Sequence, residues 1–260
     1  MTILAARDIG ISFGGVKAID GVSFSVSPGQ ILSIIGPNGA GKTTLFNIVS
    51  GVYERDQGHV ELSGEDVTGL TPDKLATRGM SRTFQNLQIF QRMTAAENVM
   101  VGRHLRERCN LLADLFRLPS VTRQNAETRD AALALLDEVG LRASADVAAG
   151  SLSYGACKRL EIARALASEP RVLLLDEPAA GCNPVETEEI DELIRRVAAK
   201  GIAVVLVEHD MKLVMKISNH ILVLNRGKPI AEGKPQEVRD NPAVLEAYLG
   251  KHGAKEAARA

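Results

Sequence analysis

The chain has 260 residues, 45% of them hydrophobic and 24% charged, with a formal net charge of −1. That is an ordinary globular balance, long enough for one large or two small domains with a substantial core. It lacks the basic face or tail that non-specific nucleic-acid binding needs, so no nucleic acid is expected as a partner.

In chain order, residues 3–27 alternate apolar and polar, as in "VSFSVS", around a turn at Gly14 and Gly15, and they read as antiparallel strands. "ILSIIG" (31–36) is a short apolar run ending in glycine, followed by a helix-like stretch "KTTLFNIVSG" (42–51). "GHVELSGEDV" (58–67) reads as a strand and turn. From about Ala95 to Val147 the pattern turns helical, with Leu133, Leu136 and Val139 on one stripe. "LSYGACKRLEIARAL" (152–166) reads as a helix capped by Ser153. "RVLLLDEP" (171–178) and "IAVVLVEHD" (202–210) are apolar runs ending in acids, as buried parallel strands do. "HILVLNRGKPIAEGKP" (220–235) reads as a closing hairpin, then a C-terminal helix near "PAVLEAYLG" and a frayed tail. Strands alternating with helices predict an α/β core, with the helical segment inserted into it.

"MTILAARDIG" has no basic region before an apolar stretch, so no signal peptide is expected. No apolar run reaches the roughly 18 residues that span a bilayer, so any membrane role is expected through a partner. Cys109, Cys157 and Cys182 are odd in number and not at metal-ligand spacing, and they read as reduced thiols of a cytosolic protein.

"GPNGAGKT" matches the phosphate-binding pattern G-x-x-x-x-G-K-[ST], and it sits between a predicted strand and a predicted helix, as that pattern requires. Gly36, Pro37, Asn38, Gly39, Ala40 and Gly41 form the loop whose N–H groups face phosphates, with Thr44 just beyond. Lys42 supplies a point charge to the β- and γ-phosphates, and the Thr43 hydroxyl is a Mg²⁺ ligand. Asp176, at the end of its strand, is the partner acid for Mg²⁺. Glu177 leaves the strand end in another direction, where it can orient or deprotonate water. Alone, Glu177 reads as a solvated loop carboxylate, Gln85 as a surface amide, His209 as a capping or packed histidine and Phe13 as a core aromatic. Their order along the chain changes that reading.

In that order the chain resembles the ATP-binding subunit of an ABC transporter over nearly its whole length. The resemblance implies a P-loop NTPase cassette with a RecA-like parallel-sheet core, an antiparallel β subdomain and an α-helical subdomain. The core and β subdomain would occupy 1–94 and 151–235, the helical subdomain 95–150, and the C-terminal helix and tail 236–260. It implies ATP and Mg²⁺ as cofactors. Phe13 would stack on adenine, Gln85 would serve as a catalytic glutamine and metal ligand, and Asp176 would hold Mg²⁺. Glu177 would be the base, "AGCNP" the loop after it, and His209 the switch histidine. The signature falls on Leu152–Ala156, where Ser153 and Gly155 would meet the γ-phosphate of ATP bound to a second subunit. A helix N-terminus suits that anion, and Gly155 lets the backbone come close. Ala156 stands where the family usually has glutamine, Tyr154 where it often has glycine, and Cys182 where leucine is common. None of these removes a catalytic group.

Within the family, "FQNLQIFQRMTAAENVMVGRH", "DEPAAGCNPVETEEIDELI" and "VLEAYLG" resemble the ATPases of high-affinity branched-chain amino acid importers. Importers of urea, amides or aromatic acids look alike. Lipid or lipopolysaccharide exporters use a similar single cassette, and soluble ABC ATPases usually carry two cassettes or large insertions. The resemblance implies two transmembrane permease subunits, a second ATP-binding subunit (a sister ATPase or a second copy) and, indirectly, a periplasmic binding protein. It places the chain on the cytoplasmic face of the inner membrane, held there by the permease and soluble when isolated. Phe84, Leu87, Ile89, Phe90 and Met93 are too apolar for a bare loop, and they are expected either to dock a permease helix or to pack the insertion onto the core.

Overall fold

A computed structural model describes residues 1–106 and 119–248. Cys109, the front of the insertion and the expected tail lie outside them. The described residues fall into two compact units, one of residues 1–82, 171–177 and 194–248, the other of residues 83–106, 119–170 and 178–193.

The first unit holds two sheets. Strands β1 (Leu4–Phe13), β2 (Val16–Val26), β4 (Gln57–Leu62) and β5 (Glu65–Asp66) form an antiparallel sheet in the order β2-β1-β4-β5. Alternation holds along the second half of β2, where Val22, Phe24 and Val26 are buried, with Ile19 buried three residues before them. It breaks in β1, where Asp8 takes φ +51° and the pairing register shifts between Ala6 and Ile9. Such a bulge puts Arg7 and Asp8 outward together.

The second sheet adds β3 (Ile31–Ile35), β6 (Met80–Arg82), β7 (Val172–Asp176), β8 (Ala203–Val207), β9 (His220–Asn225) and β10 (Lys228–Gly233), in the order β10-β9-β3-β8-β7-β6. All pairs are parallel except the β9–β10 hairpin, which turns through Arg226 and Gly227 at φ +48° and +78°. Strands β3, β7 and β8 are buried along their whole length, as continuous apolar runs in a parallel sheet require. Helix α1 (Lys42–Val49) packs Leu45 and Phe46 into the core shared by both sheets. Truncating either side chain to alanine would cost about 2–5 kcal/mol. Helix α2 (Pro72–Thr77) precedes β6.

In the second unit, α3 (Ala95–Gly102) starts with a capping box between Thr94 and Glu97. Helix α4 (Pro119–Glu138) buries Ala132 and Leu136, and Val139 follows just past its end; Leu133, expected on that stripe, is only half-buried. Helix α5 (Tyr154–Leu166) carries the signature at its start, and Ser153 Oγ caps it by accepting from the Ala156 amide at 3.2 Å. Helix α6 (Pro184–Ala199), whose residues from Ile194 on belong to the first unit, buries Ile190, Leu193, Ile194 and Val197, an i, i+3, i+4, i+7 face. Helices α7 (Met211–Ile217) and α8 (Pro235–Arg239), both in the first unit, complete the named helices among the described residues.

Candidate functional site

The phosphate loop leaves the C-terminal end of β3 and feeds directly into α1. Gly41 takes φ +101° at the entrance to that helix, and a Cβ there would come within 2.8 Å of the Ala18 carbonyl. Glycine alone allows the chain to turn at that point. The Gly227 amide donates to the Ala40 carbonyl at 2.9 Å, so the hairpin turn braces the loop from outside. Lys42 is buried, and its Nζ donates to the carbonyls of Gly36 at 2.8 Å and Pro37 at 3.2 Å. Burial pushes its ammonium below the ordinary lysine range, while the charges of Glu177 and Asp176 hold it up. Thr43 is exposed and Thr44 half-buried. A cavity of about 650 Å³ opens beside Pro37–Ala40, walled opposite by Ala243, Glu246 and Ala247.

Asp176 ends β7 with 2% of its surface exposed. Its partner was not legible in the sequence. Arg82, the last residue of β6, donates from Nη2 to Asp176 Oδ2 at 3.1 Å. The same guanidinium donates to Asn47 Oδ1 at 2.7 Å and Ser50 Oγ at 2.6 Å, and lies 5.3 Å from the Phe46 ring centroid. Arg82 thus ties the acid to the end of the helix that follows the phosphate loop.

Glu177 follows with φ +49°, a conformation uncommon for a residue with a Cβ, and its amide donates to the Val207 carbonyl at 2.9 Å. That turn swings its carboxylate away from Asp176's direction and toward His209, whose Nδ1 lies 3.6 Å from Glu177 Oε1. The His209 amide donates to the buried carboxylate of Glu208 at 3.1 Å. Phe13 is not the core aromatic that composition alone favours. It is about half exposed and meets Tyr53 edge-on, with ring centroids 5.8 Å apart. All these residues belong to the first unit.

Gln85, Ser153 and Gly155 belong to the second. Gln85 is exposed, and Lys158 of α5, itself buried, donates from Nζ to its carbonyl at 3.4 Å. Glu161 of the same helix accepts from the Gln88 amide at 3.3 Å, and burial raises its carboxyl above the ordinary range. Phe84, Phe90 and Met93 stand exposed, whereas Leu87 and Ile89 are half-buried.

Among the described residues no group of three or more His, Cys, Asp or Glu side chains is arranged to hold a metal. The residues expected around Mg²⁺ are instead a hydroxyl, an amide and one carboxylate, all oxygen donors. That is hard-ligand chemistry suited to a cation that keeps waters and phosphates in its shell. No described helix is long and apolar enough to cross a membrane.

The profile of the ABC transporter family matches residues 19–180. A second profile, described as "Branched-chain amino acid ATP-binding cassette transporter", matches residues 228–254. The high-affinity branched-chain amino acid transport ATP-binding protein BraF of Pseudomonas aeruginosa is 47% identical over 95% of this chain and 98% of its own length. The corresponding protein LivG of Escherichia coli K12 is 43% identical over the same shares. Among solved structures, the ADP conformation of MJ1267, an ATP-binding cassette of an ABC transporter, superposes with a TM-score of 0.84. It is 36% identical over 96% of this chain and 100% of that one.

Proposed function

Since the chain belongs to the ABC transporter family of ATP-binding proteins, we propose that it is the ATP-hydrolysing subunit of a branched-chain amino acid importer. The observation that carries this reading is the 47% identity with BraF over almost the full length of both chains. It works at the inner face of the membrane, held there by two permease subunits and paired with a second ATP-binding subunit.

In the mechanism we propose, Phe13 offers a ring face to adenine, and the loop N–H groups with Lys42 hold the β- and γ-phosphates. Thr43 and Asp176 would hold Mg²⁺, which when bound supplies charge neutralisation on the phosphates. Arg82 holds Asp176 in place by donating from Nη2 to its Oδ2 at 3.1 Å. Water attacks the γ-phosphorus and the bond to the ADP oxygen breaks. Glu177 takes the proton from that water, with His209 orienting the carboxylate or the departing phosphate. Ser153 and Gly155 serve the nucleotide of the other subunit, so neither chain completes a site alone.

Deleting the gene from its source organism tests the assignment. Uptake of radiolabelled leucine, isoleucine and valine should fall and return with the wild-type chain but not with Glu177→Gln. Unchanged uptake of these amino acids, with loss of urea or amide uptake or of lipopolysaccharide export, would contradict it.

A further inference from the structure

Helix α6 begins with a capping box. Asn183 Oδ1 accepts from the Glu186 amide at 3.0 Å, and Glu186 Oε2 accepts from the Asn183 amide at 3.2 Å. The box accounts for one carboxylate oxygen of Glu186. The other reaches a different helix: Oε1 accepts from the Ser153 hydroxyl and from the Gly155 amide, both at 3.2 Å. These donors open the first turn of the 13-residue α5, where unsatisfied N–H groups and the helix dipole attract an anion. The approach is close, since a Cβ on Gly155 would lie 2.6 Å from Oε1. Both helix starts lie in the second unit.

We propose that Glu186 is a built-in stand-in for the γ-phosphate. Its carboxylate occupies the signature donors in the isolated chain, and the nucleotide of the other subunit must displace it to close the dimer. The inference rests on reading Ser153 and Gly155 as the donors to that phosphate. Two anions cannot share one hydroxyl and one amide at hydrogen-bond distance without strong repulsion. The γ-phosphate carries more charge and more acceptor oxygens, so it wins the exchange, but only after the carboxylate has given up two charge-assisted bonds. Oε2 can keep its place in the capping box while Oε1 turns away. The exchange is therefore a rotation of one side chain about Asn183, in the loop that follows Glu177. Glu186 in this way sets how much nucleotide is needed before two chains close.

The test uses the full chain carrying Glu177→Gln, with Mg-ATP, and reads the dimer dissociation constant by analytical ultracentrifugation. Adding Glu186→Gln keeps the shape and one acceptor but removes the charge. Because neutral hydrogen bonds are about half as strong, the dissociation constant should fall by about tenfold. Glu186→Asp, one methylene too short to serve both helices, should shift it in the same direction. A constant that is unchanged or higher in both folded variants overturns the proposal and leaves Glu186 as a brace for the turn. Ser153→Arg separates the two readings. If it abolishes the ATP-dependent dimer while the Glu186 variants fail to tighten it, only the stand-in falls. If it dimerises as well as its parent, the reading of the signature falls and takes the stand-in with it.

Discussion

Arg82 and Asp176 form an ion pair with 10% and 3% of their side chains exposed. Removing one partner of such a pair leaves an uncompensated charge and costs about 3–5 kcal/mol. Arg82→Met should therefore unfold at lower urea, and Mg-ATP should recover part of the loss by placing a cation beside Asp176. The gain should exceed that of the wild-type chain, and a gain no larger than wild type's would remove Arg82 from the metal position. If its ammonium is the point charge proposed for the phosphates, Lys42→Ala should lose at least about tenfold in ATP affinity, read by titration with a fluorescent nucleotide. Affinity within about twofold of wild type would contradict that role. The phosphate loop, Asp176 and Glu177 could be proposed from the sequence because each proposed role demands one residue type at one spacing after a strand. Arg82 was not legible, because its partner lies 94 positions away and no local pattern announces that pairing. Tyr53 beside Phe13 was hidden for the same reason. The box from Asn183 to Glu186 follows the N-cap pattern and could have been read, although the second bond of that carboxylate to Ser153 could not.

Among the elements, the buried parallel strands and the capped signature helix followed from apolar runs and from Ser153. Strand β6 escaped the reading because it has only three residues, too few for any periodicity, yet it carries Arg82. Helix α6 escaped although its apolar face is regular, because its first turns are dominated by acids, among them the capping Glu186 and Glu189, which pairs with Arg159 at 3.3 Å. The stripe on α4 was placed almost correctly; Ala132, not Leu133, is the buried member. The apolar stretch after Gln85 divides in two: Leu87 and Ile89 pack partly inward, whereas Phe90 and Met93 are exposed at 48% and 39%. Apolar side chains left exposed together suit a helix supplied by a permease. Phe90→Glu with Met93→Glu should leave ATP binding and the unfolding temperature of the isolated chain near wild type but prevent its recovery with the membrane fraction. Undiminished membrane recovery would assign these residues to packing of the insertion alone.

At the scale of the whole molecule, the residues proposed for one reaction are divided between two compact units. Lys42, Asp176, Glu177 and His209 lie in the first, and Gln85, Ser153 and Gly155 in the second. The α/β class and the ATPase activity could be read from the sequence, because the family's motifs occur in their full order. The sharing of each site between two chains rests on the signature donors and is the claim on which the mechanism depends. The most direct measurement mixes Ser153→Arg with Lys42→Ala under conditions where wild-type dimers hydrolyse ATP and each variant alone does not. Loss of one positioned donor costs on the order of 10²–10³ in rate, so each parent background is low. In a mixed dimer one site joins both damaged halves, and the other joins an intact phosphate loop to an intact signature. Hydrolysis should return on mixing, up to about half the wild-type rate per mixed dimer for independent sites, and a chain carrying both changes should rescue nothing. If mixing restores no hydrolysis while crosslinking shows that mixed dimers have formed, each signature serves its own chain's nucleotide, and the shared site is wrong.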